Sequence, residues 1–371
     1  MIMWLIIMIV GLLFTAIALL YIGSRVAKFI SNKNFSVKKK TAIGLFVVVS
    51  LFTCIGFIIN FINAIVCAIY FAMIWCICDF IFGKIKKSYK HYYAGWSAII
   101  SSIVTLAFGW YFAHNVWRTE YNISTVKDIE NLKIVMFADS HIGATFDGDG
   151  FKKHTLAMNN EKPDILVIVG DFVDDDTTKD DMVKSVKALS EIKTKYGIYF
   201  VFGNHDNGYY GPKYRGFSDR DLIHELEKNN IIVLRDKMKL IANQFYVIGR
   251  KDLSENLLTN GKRESMTDIT KNLDKNKYTI ILDHQPADYK NQEKANVDLV
   301  LSGHTHGGQL FPFNNVGKWI GANDKIYGYE KRNNTNFIVT SGISDWAIKF
   351  KTGTKSEYVV INIKSDKKAG F

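Results

Sequence analysis

Over the first 115 positions, apolar residues do not alternate with polar ones. They run in four long stretches, Ile2–Ile22, Ala42–Phe61, Ala64–Phe82 and Ala94–His114. Each is near the roughly 20 residues that cross a bilayer core, so the pattern predicts four transmembrane helices within residues 1–115. A cleaved signal peptide fits the first stretch poorly. No Lys or Arg precedes it, and Ala16-Ile17-Ala18 falls inside the run rather than after it. From about residue 131 the texture changes to short β-branched runs. These are Lys133–Ala138, Ile165–Val169, Ile198–Phe202, Tyr246–Ile248, Tyr278–Leu282, Leu299–Leu301, Phe337–Thr340 and Tyr358–Ile363. Helix-like segments such as Thr178–Lys195 and Ser218–Lys228 separate several of them. The alternation predicts an α/β domain over residues 131–371, with residues 116–130 as a linker.

Charge changes the picture in one respect. The 371-residue chain has a formal net charge of +11, but residues 1–120 hold 11 Lys/Arg against only Asp79 and Glu120. The remainder, with 36 basic and 34 acidic residues, is nearly neutral. A nucleic-acid footprint would need a basic face on the globular part, so no nucleic-acid partner is indicated. The basic residues mark orientation instead. Arg25, Lys28, Lys33, Lys38, Lys39 and Lys40 lie in the first connection, and Lys84, Lys86, Lys87 and Lys90 in the third. The second, around Asn60–Asn63, has none. The positive-inside rule puts the first and third loops in the cytoplasm and the globular domain on the extracytoplasmic side. Trp4, Trp110, Tyr111 and Trp117 then fall near the outer interface. Asp79, near the end of the third stretch, reads as an interfacial carboxylate beside lysines. Cys54, Cys67, Cys76 and Cys78 all lie in the apolar third, so the globular part has neither a disulfide framework nor a thiolate metal site.

The chemistry stands at the ends of the strands. Asp139-Ser140-His141 follows the first run, Gly170-Asp171 the second, and Gly203-Asn204-His205-Asp206 the third. His284 follows Tyr278–Leu282, and Gly303-His304-Thr305-His306-Gly307-Gly308-Gln309 follows Leu299–Leu301. Ligands gather at the carboxyl ends of strands in α/β sheets, so these loops should converge. Together they offer five imidazoles, three carboxylates and side-chain amide oxygens, a set suited to one or two divalent ions such as Mn, Fe or Zn. Asp147 and Asp149 resemble a fragment of a calcium loop without its remaining ligands and read as a polar turn. Tyr209, Tyr210 and Tyr214 could line a substrate mouth or be ordinary surface aromatics. Asn122 and Asn333 match a glycosylation pattern too common to carry weight.

The ordered blocks resemble the calcineurin-like metallophosphoesterase superfamily, and the ending Gly-His-Thr-His-Gly-Gly-Gln resembles a bacterial membrane-associated branch of it. The resemblance covers roughly residues 131–364. It implies two facing β-sheets flanked by helices, a four-layer sandwich, with a two-metal centre at the strand ends. It further implies that Asp139, His141 and His306 hold one metal and Asn204, His284 and His304 the other, with Asp171 bridging both. His205 would protonate the leaving oxygen, and Asp174 would orient His205. In the Ser/Thr protein phosphatases of this superfamily an Arg follows the second Asp of Gly-Asp-x-x-Asp. Here that position is Asp175, which argues against activity of that type.

The resulting expectation is a membrane-anchored, metal-dependent hydrolase of phosphoric mono- or diesters, using a hydroxide activated between two metals. The membrane setting favours a lipid- or envelope-derived phosphate ester as substrate. A metal-binding sensor or scaffold without catalysis is the alternative, and His205 with Asp174 argues against it, because metal binding alone needs neither. A transporter with an accessory soluble domain would call for more intramembrane charge than Asp79.

Overall fold

The structure, a computed structural model, describes residues 2–85, 91–255 and 262–366, without the side chains of residues 2–8. It divides into two compact units, one of residues 1–110 with Ala347–Lys349, the other of residues 111–346 with residues 350 onward.

Four helices span Ile2–Val26 (α1), Val37–Ile58 (α2), Phe61–Lys84 (α3) and Tyr93–His114 (α4). All four are long and apolar enough to cross a membrane, which makes the chain that of a multi-pass membrane protein. Two boundaries differ from the hydropathy pattern because caps, not apolarity, set them. Ser36 accepts a hydrogen bond from Lys39 N, starting α2 five residues before Ala42 with three lysines in its first turn. Asn60 accepts one from Asn63 N at 2.8 Å and starts α3 at Phe61. Small residues bring α1 and α2 together: a Cβ on Gly23 would stand 2.8 Å from Leu45 Cα. Asp79 is not merely beside lysines. Its carboxylate pairs with Arg25 Nε at 2.7 Å and accepts the hydroxyls of Tyr21 and Tyr92 at 3.0 and 2.7 Å. Lys86, Lys87 and Lys90 and the side chain of Trp4 lie outside the described residues.

The second unit is built on two six-stranded mixed sheets. Its strands are Trp117–Thr125 (β1), Leu132–Phe137 (β2), Ile165–Val169 (β3), Ile198–Val201 (β4), Ile231–Val233 (β5) and Lys237–Ile241 (β6). They continue with Phe245–Gly249 (β7), Tyr278–Leu282 (β8), Leu299–Ser302 (β9), Gly328–Arg332 (β10), Thr335–Val339 (β11) and Glu357–Ser365 (β12). The first sheet runs β1-β12-β2-β3-β4-β5 and the second β10-β11-β9-β8-β7-β6. In each, the four adjacent strands that carry the chemistry or flank it are parallel: β2 to β5, and β11-β9-β8-β7.

Alternation along the strands explains the layering. Ile134 and Met136, Ile165 and Val167, and Val359 and Ile361 face Val247, Ile280, Leu282 and Leu301 of the other sheet in one buried cluster. The intervening Val135, Phe137, Leu166, Ile168 and Val360 pack outward against helices Gly148–Asn160 (α5), Lys179–Ser190 (α6) and Asp219–Lys228 (α7), through Phe151, Val186 and Leu222. Behind the second sheet, Ile248, Ile281 and Val300 meet Met266 and Ile269 of Met266–Thr270 (α8) and Tyr289 of Tyr289–Lys294 (α9). The architecture is thus helix, sheet, sheet, helix, with strands buried on both faces reading as continuous apolar runs.

Residues 116–130 do not form the expected linker. Most of them are strand β1, paired in parallel with β12 from Trp117↔Glu357 to Thr125↔Ser365. Ile123 is its one buried residue, so this polar edge strand carries no apolar signal. Helix α5 lies before the helix-like segments Thr178–Lys195 and Ser218–Lys228 of the globular part. Asp147, part of the supposed calcium fragment, is its cap and accepts from Gly150 N at 2.7 Å.

Candidate metal centre

All the singled-out blocks sit at the carboxyl ends of parallel strands: Asp139 and His141 after β2, Asp171 after β3, Asn204 and His205 after β4, His284 after β8, and His304 and His306 after β9. Aiming the side chains inward requires unusual backbone. Asp139, His141, Asp171, His304 and His306 all have positive φ, between 37° and 71°. Non-glycine residues held this way cost about 1–3 kcal/mol each and cluster where function over-determines the chain. Two glycines give the room. A Cβ on Gly170 (φ 82°) would lie 2.5 Å from His284 Nδ1, and one on Gly303 would lie 2.6 Å from Asp139 Oδ2.

Two groups of potential ligands result, Asp139–His141–His306 and Asp171–His284–His304, with the ligand atoms of each within 4.8 Å of one another. Asp171 belongs to the second group and lies close to the first. Its Oδ2 is 3.0 Å from His284 Nε2 and 3.8 Å from His141 Nε2. Three imidazoles are fixed from behind through Nδ1, by Val169 O for His284 (2.7 Å), Asp174 Oδ2 for His141 (3.2 Å) and Ser344 O for His306 (3.3 Å). That leaves each Nε2 for the centre, the arrangement metal-ligating histidines adopt. The backbone N–H of His304 donates to Asp139 at 2.9 Å.

The donor set fits a pair of divalent ions on structural grounds. His141 Nε2 and Asn204 Oδ1 are buried with no hydrogen-bond partner among the described residues, an expensive arrangement unless something else binds there. The electrostatics agree. Burial pushes the Asp139 carboxyl up to about 6, against the pull of His284 and His141. Burial acts on Asp171 in the same sense, but His284, His205 and His141 outweigh it and hold that carboxyl well below the usual range. Burial and the His284 charge together push His304 down to about 4, leaving it a neutral donor. Each carboxylate thus demands positive charge from its surroundings.

His205 lies beside this centre. Its backbone N–H donates to Asp171 Oδ1 at 2.8 Å, and its ring centroid stands 4.9 Å from that of His141. The expected pairing of Asp174 with His205 is not formed. The Asp174 turn is tied down by Thr177 Oγ1, which accepts from Asp174 N, and by Asp176 N, which donates to Asp174 Oδ1, so the other oxygen reaches His141. Asp206 has a role that sequence reasoning left unassigned. Fully buried, it accepts four backbone N–H groups, from Asp171, Phe172, Val173 and Gly203, at 2.7–3.0 Å. It thereby holds the second and third blocks together. Asp175, in place of the phosphatase arginine, accepts the N–H groups of Tyr209 and Tyr210, each at 3.0 Å. Tyr210 and Tyr214 lie against each other, 74% and 62% exposed, while Tyr209 faces His205.

The calcineurin-like phosphoesterase family pattern matches residues 132–308, the stretch from β2 to the end of the His304–Gly308 loop. An uncharacterized metallophosphoesterase of Aquifex aeolicus is 34% identical over 194 residues, 52% of this chain and 70% of its own. The chain belongs to the calcineurin-like metallophosphoesterases. Another uncharacterized metallophosphoesterase, of Campylobacter jejuni, is 30% identical over 64% of this chain and 60% of its own, so the match spans less than two thirds of that relative. A transmembrane protein with metallophosphoesterase domain from Danio rerio is 28% identical over 64% of this chain and 54% of its own. Four apolar helices joined to a metallophosphoesterase domain set this chain beside relatives of that kind.

Proposed function

We propose that this protein is a membrane-anchored, divalent-metal-dependent hydrolase of phosphoric esters whose catalytic domain faces the extracytoplasmic side. The observation that carries the reading is the closeness of the two ligand groups, Oδ2 of Asp171 in one lying 3.8 Å from Nε2 of His141 in the other, with His205 alongside and in neither. Asp139, His141 and His306 would hold one ion, and Asn204, His284 and His304 the other. When bound, the pair supplies charge for the phosphoryl oxygens and a nucleophile at neutral pH. The protein supplies the rest. Asp171 balances the charge between the two groups, and the Nδ1 contacts keep the imidazoles aimed. Asp206 holds the Asp171 and Asn204 turns at fixed spacing, and His205 delivers the proton that the leaving oxygen needs.

The extracytoplasmic side follows from the basic residues of the first and third connections. A lipid- or envelope-derived substrate is supported by the segment after the His304–His306 loop. Phe311, Trp319 and Ile320 are 61%, 70% and 62% exposed there, and Lys318 is the one charged residue between Gly307 and Asn323. Such a surface suits a bilayer interface. The test is a hydrolysis panel on the full chain with Mn²⁺, comparing bis-aryl phosphate, aryl phosphate, nucleotide and phospholipid. Hydrolysis of none of them by metal-loaded protein would overturn the proposal and favour a metal-binding scaffold.

A further inference from the structure

Two aromatic rings from distant parts of the chain flank His205. The Tyr209 ring centroid is 5.1 Å from that of the imidazole, at 87°, and the Trp346 centroid is 5.0 Å away, at 55°. Neither residue belongs to a core, for they are 51% and 47% exposed. Tyr209 is nonetheless held at both ends. Its hydroxyl accepts from Asn204 Nδ2 at 2.9 Å, and Asp175 takes its N–H and that of Tyr210. A half-exposed aromatic fixed at its hydroxyl and its backbone is a rigid wall rather than a mobile surface side chain. The carboxylate that replaces a phosphate-gripping arginine therefore has a use of its own, fixing the loop that carries the wall.

We infer that Tyr209 and Trp346 form a leaving-group subsite for a flat ring, with Asp175 as its positioning residue. This rests on the phosphoesterase reading above. A leaving oxygen that takes its proton from His205 must lie against the imidazole, and the group attached to that oxygen then meets these two rings. Indole and phenol rings gain from contact with another flat face, whether a nucleobase, an aryl ring or the apolar face of a sugar. A two-carbon alkyl group gains little. The favoured substrates are thus phosphate esters whose departing alcohol bears a ring.

The experiment uses the full chain loaded with Mn²⁺ and diesters whose leaving groups are benzyl alcohol, a nucleoside, a sugar primary alcohol or ethanol, the ethyl ester being the reference. Wild type should favour at least one ring-bearing ester over the ethyl ester by about tenfold in kcat/KM, chiefly through KM, and the arms identify which ring. Trp346→Ala and Tyr209→Leu should bring that ratio toward one. Asp175→Ala should lower it with metal content retained, and Trp346→Phe should keep most of it. A ratio near one in wild type, or one unchanged by Trp346→Ala, overturns the subsite. If wild type hydrolyses no ester, the phosphoesterase reading fails on its own. Equilibrium binding of benzyl phosphate, nucleoside monophosphate, sugar phosphate and ethyl phosphate then decides the subsite. Tighter binding of a ring-bearing ligand that is lost in Trp346→Ala supports it, and equal binding of all four overturns it.

Discussion

Nδ1 of His141 donates to Oδ2 of Asp174 across 3.2 Å, with both side chains buried. The carboxylate thereby fixes the tautomer that turns His141 Nε2 toward Asp139 and His306. Removing such a partner typically weakens metal binding about 10–100-fold. Asp174→Ala should therefore lower the affinity of the first ion, read by metal titration, and slow activated and poor leaving groups alike. Were Asp174 to act through His205 instead, metal affinity would hold and the loss would grow with leaving-group basicity.

His205→Ala should show the opposite profile. Both ions stay, because His205 belongs to neither ligand group. Turnover of alkyl esters should fall about 10²–10⁴-fold, the usual worth of a placed general acid, with a much smaller loss for aryl esters. Elemental analysis and a leaving-group series check this. Unchanged turnover of alkyl esters would remove His205 from the mechanism.

Asp171→Ala should cost more metal than His141→Ala, because one carboxylate oxygen stands within 3.0 and 3.8 Å of imidazoles from the two groups. Reconstituted wild type should hold close to two ions per chain, the His141 variant about one, and the Asp171 variant fewer. Equal losses in the two variants would speak against a shared ligand.

Asp206→Ala leaves four buried N–H groups without an acceptor. At about 1–3 kcal/mol for each unsatisfied group, the loss is large against the stability of a typical domain. Thermal unfolding of the metal-free protein should shift down by well over about 5 °C. Asp206→Asn should recover only part of this, since its amide nitrogen faces donors. A Tm within about 2 °C of wild type would show that the two turns hold without it.

Protease added to intact cells should digest residues 120–371 if the domain faces outward, as the basic first and third connections predict. Protection of the domain, with an external control protein cleaved, would reverse the assignment.

Much of the fold is legible in the sequence. Ile165–Val169 and Tyr278–Leu282 coincide with β3 and β8 because strands buried on both faces leave uninterrupted apolar runs. Ser218 marks the start of α7 because a capping box is a local signal, completed here by Asp221. Strand β1 is invisible, since an edge strand with one buried side chain has no pattern to read. The same holds for β6, where Lys237–Leu240 are exposed and only Ile241 is buried. At the site, residue types at strand ends announce the ligands, but which carboxylate serves which histidine depends on turns. Asp174 stands three residues from Asp171 and could face either imidazole. Thr177 and Asp176 decide, and no spacing rule contains them. Trp346 escapes notice because it lies far from every motif and reaches His205 only through the fold.

The position of β12 bears on how the protein is made. It comes last among the described strands yet lies inside its sheet, between β1 and β2. As the chain lengthens during synthesis, β2, β3 and β4 can assemble in order. But β1, which begins shortly after α4 ends, has no partner until Glu357–Ser365 arrives. For most of translation the apolar border of β2 is therefore bare. A mostly exposed β1 carrying Arg118 and Glu120 is suited to that wait, because charges on an edge strand discourage pairing with another edge. A ribosome that stalls before residue 357 would release a domain with its ligand loops made and its sheet unclosed.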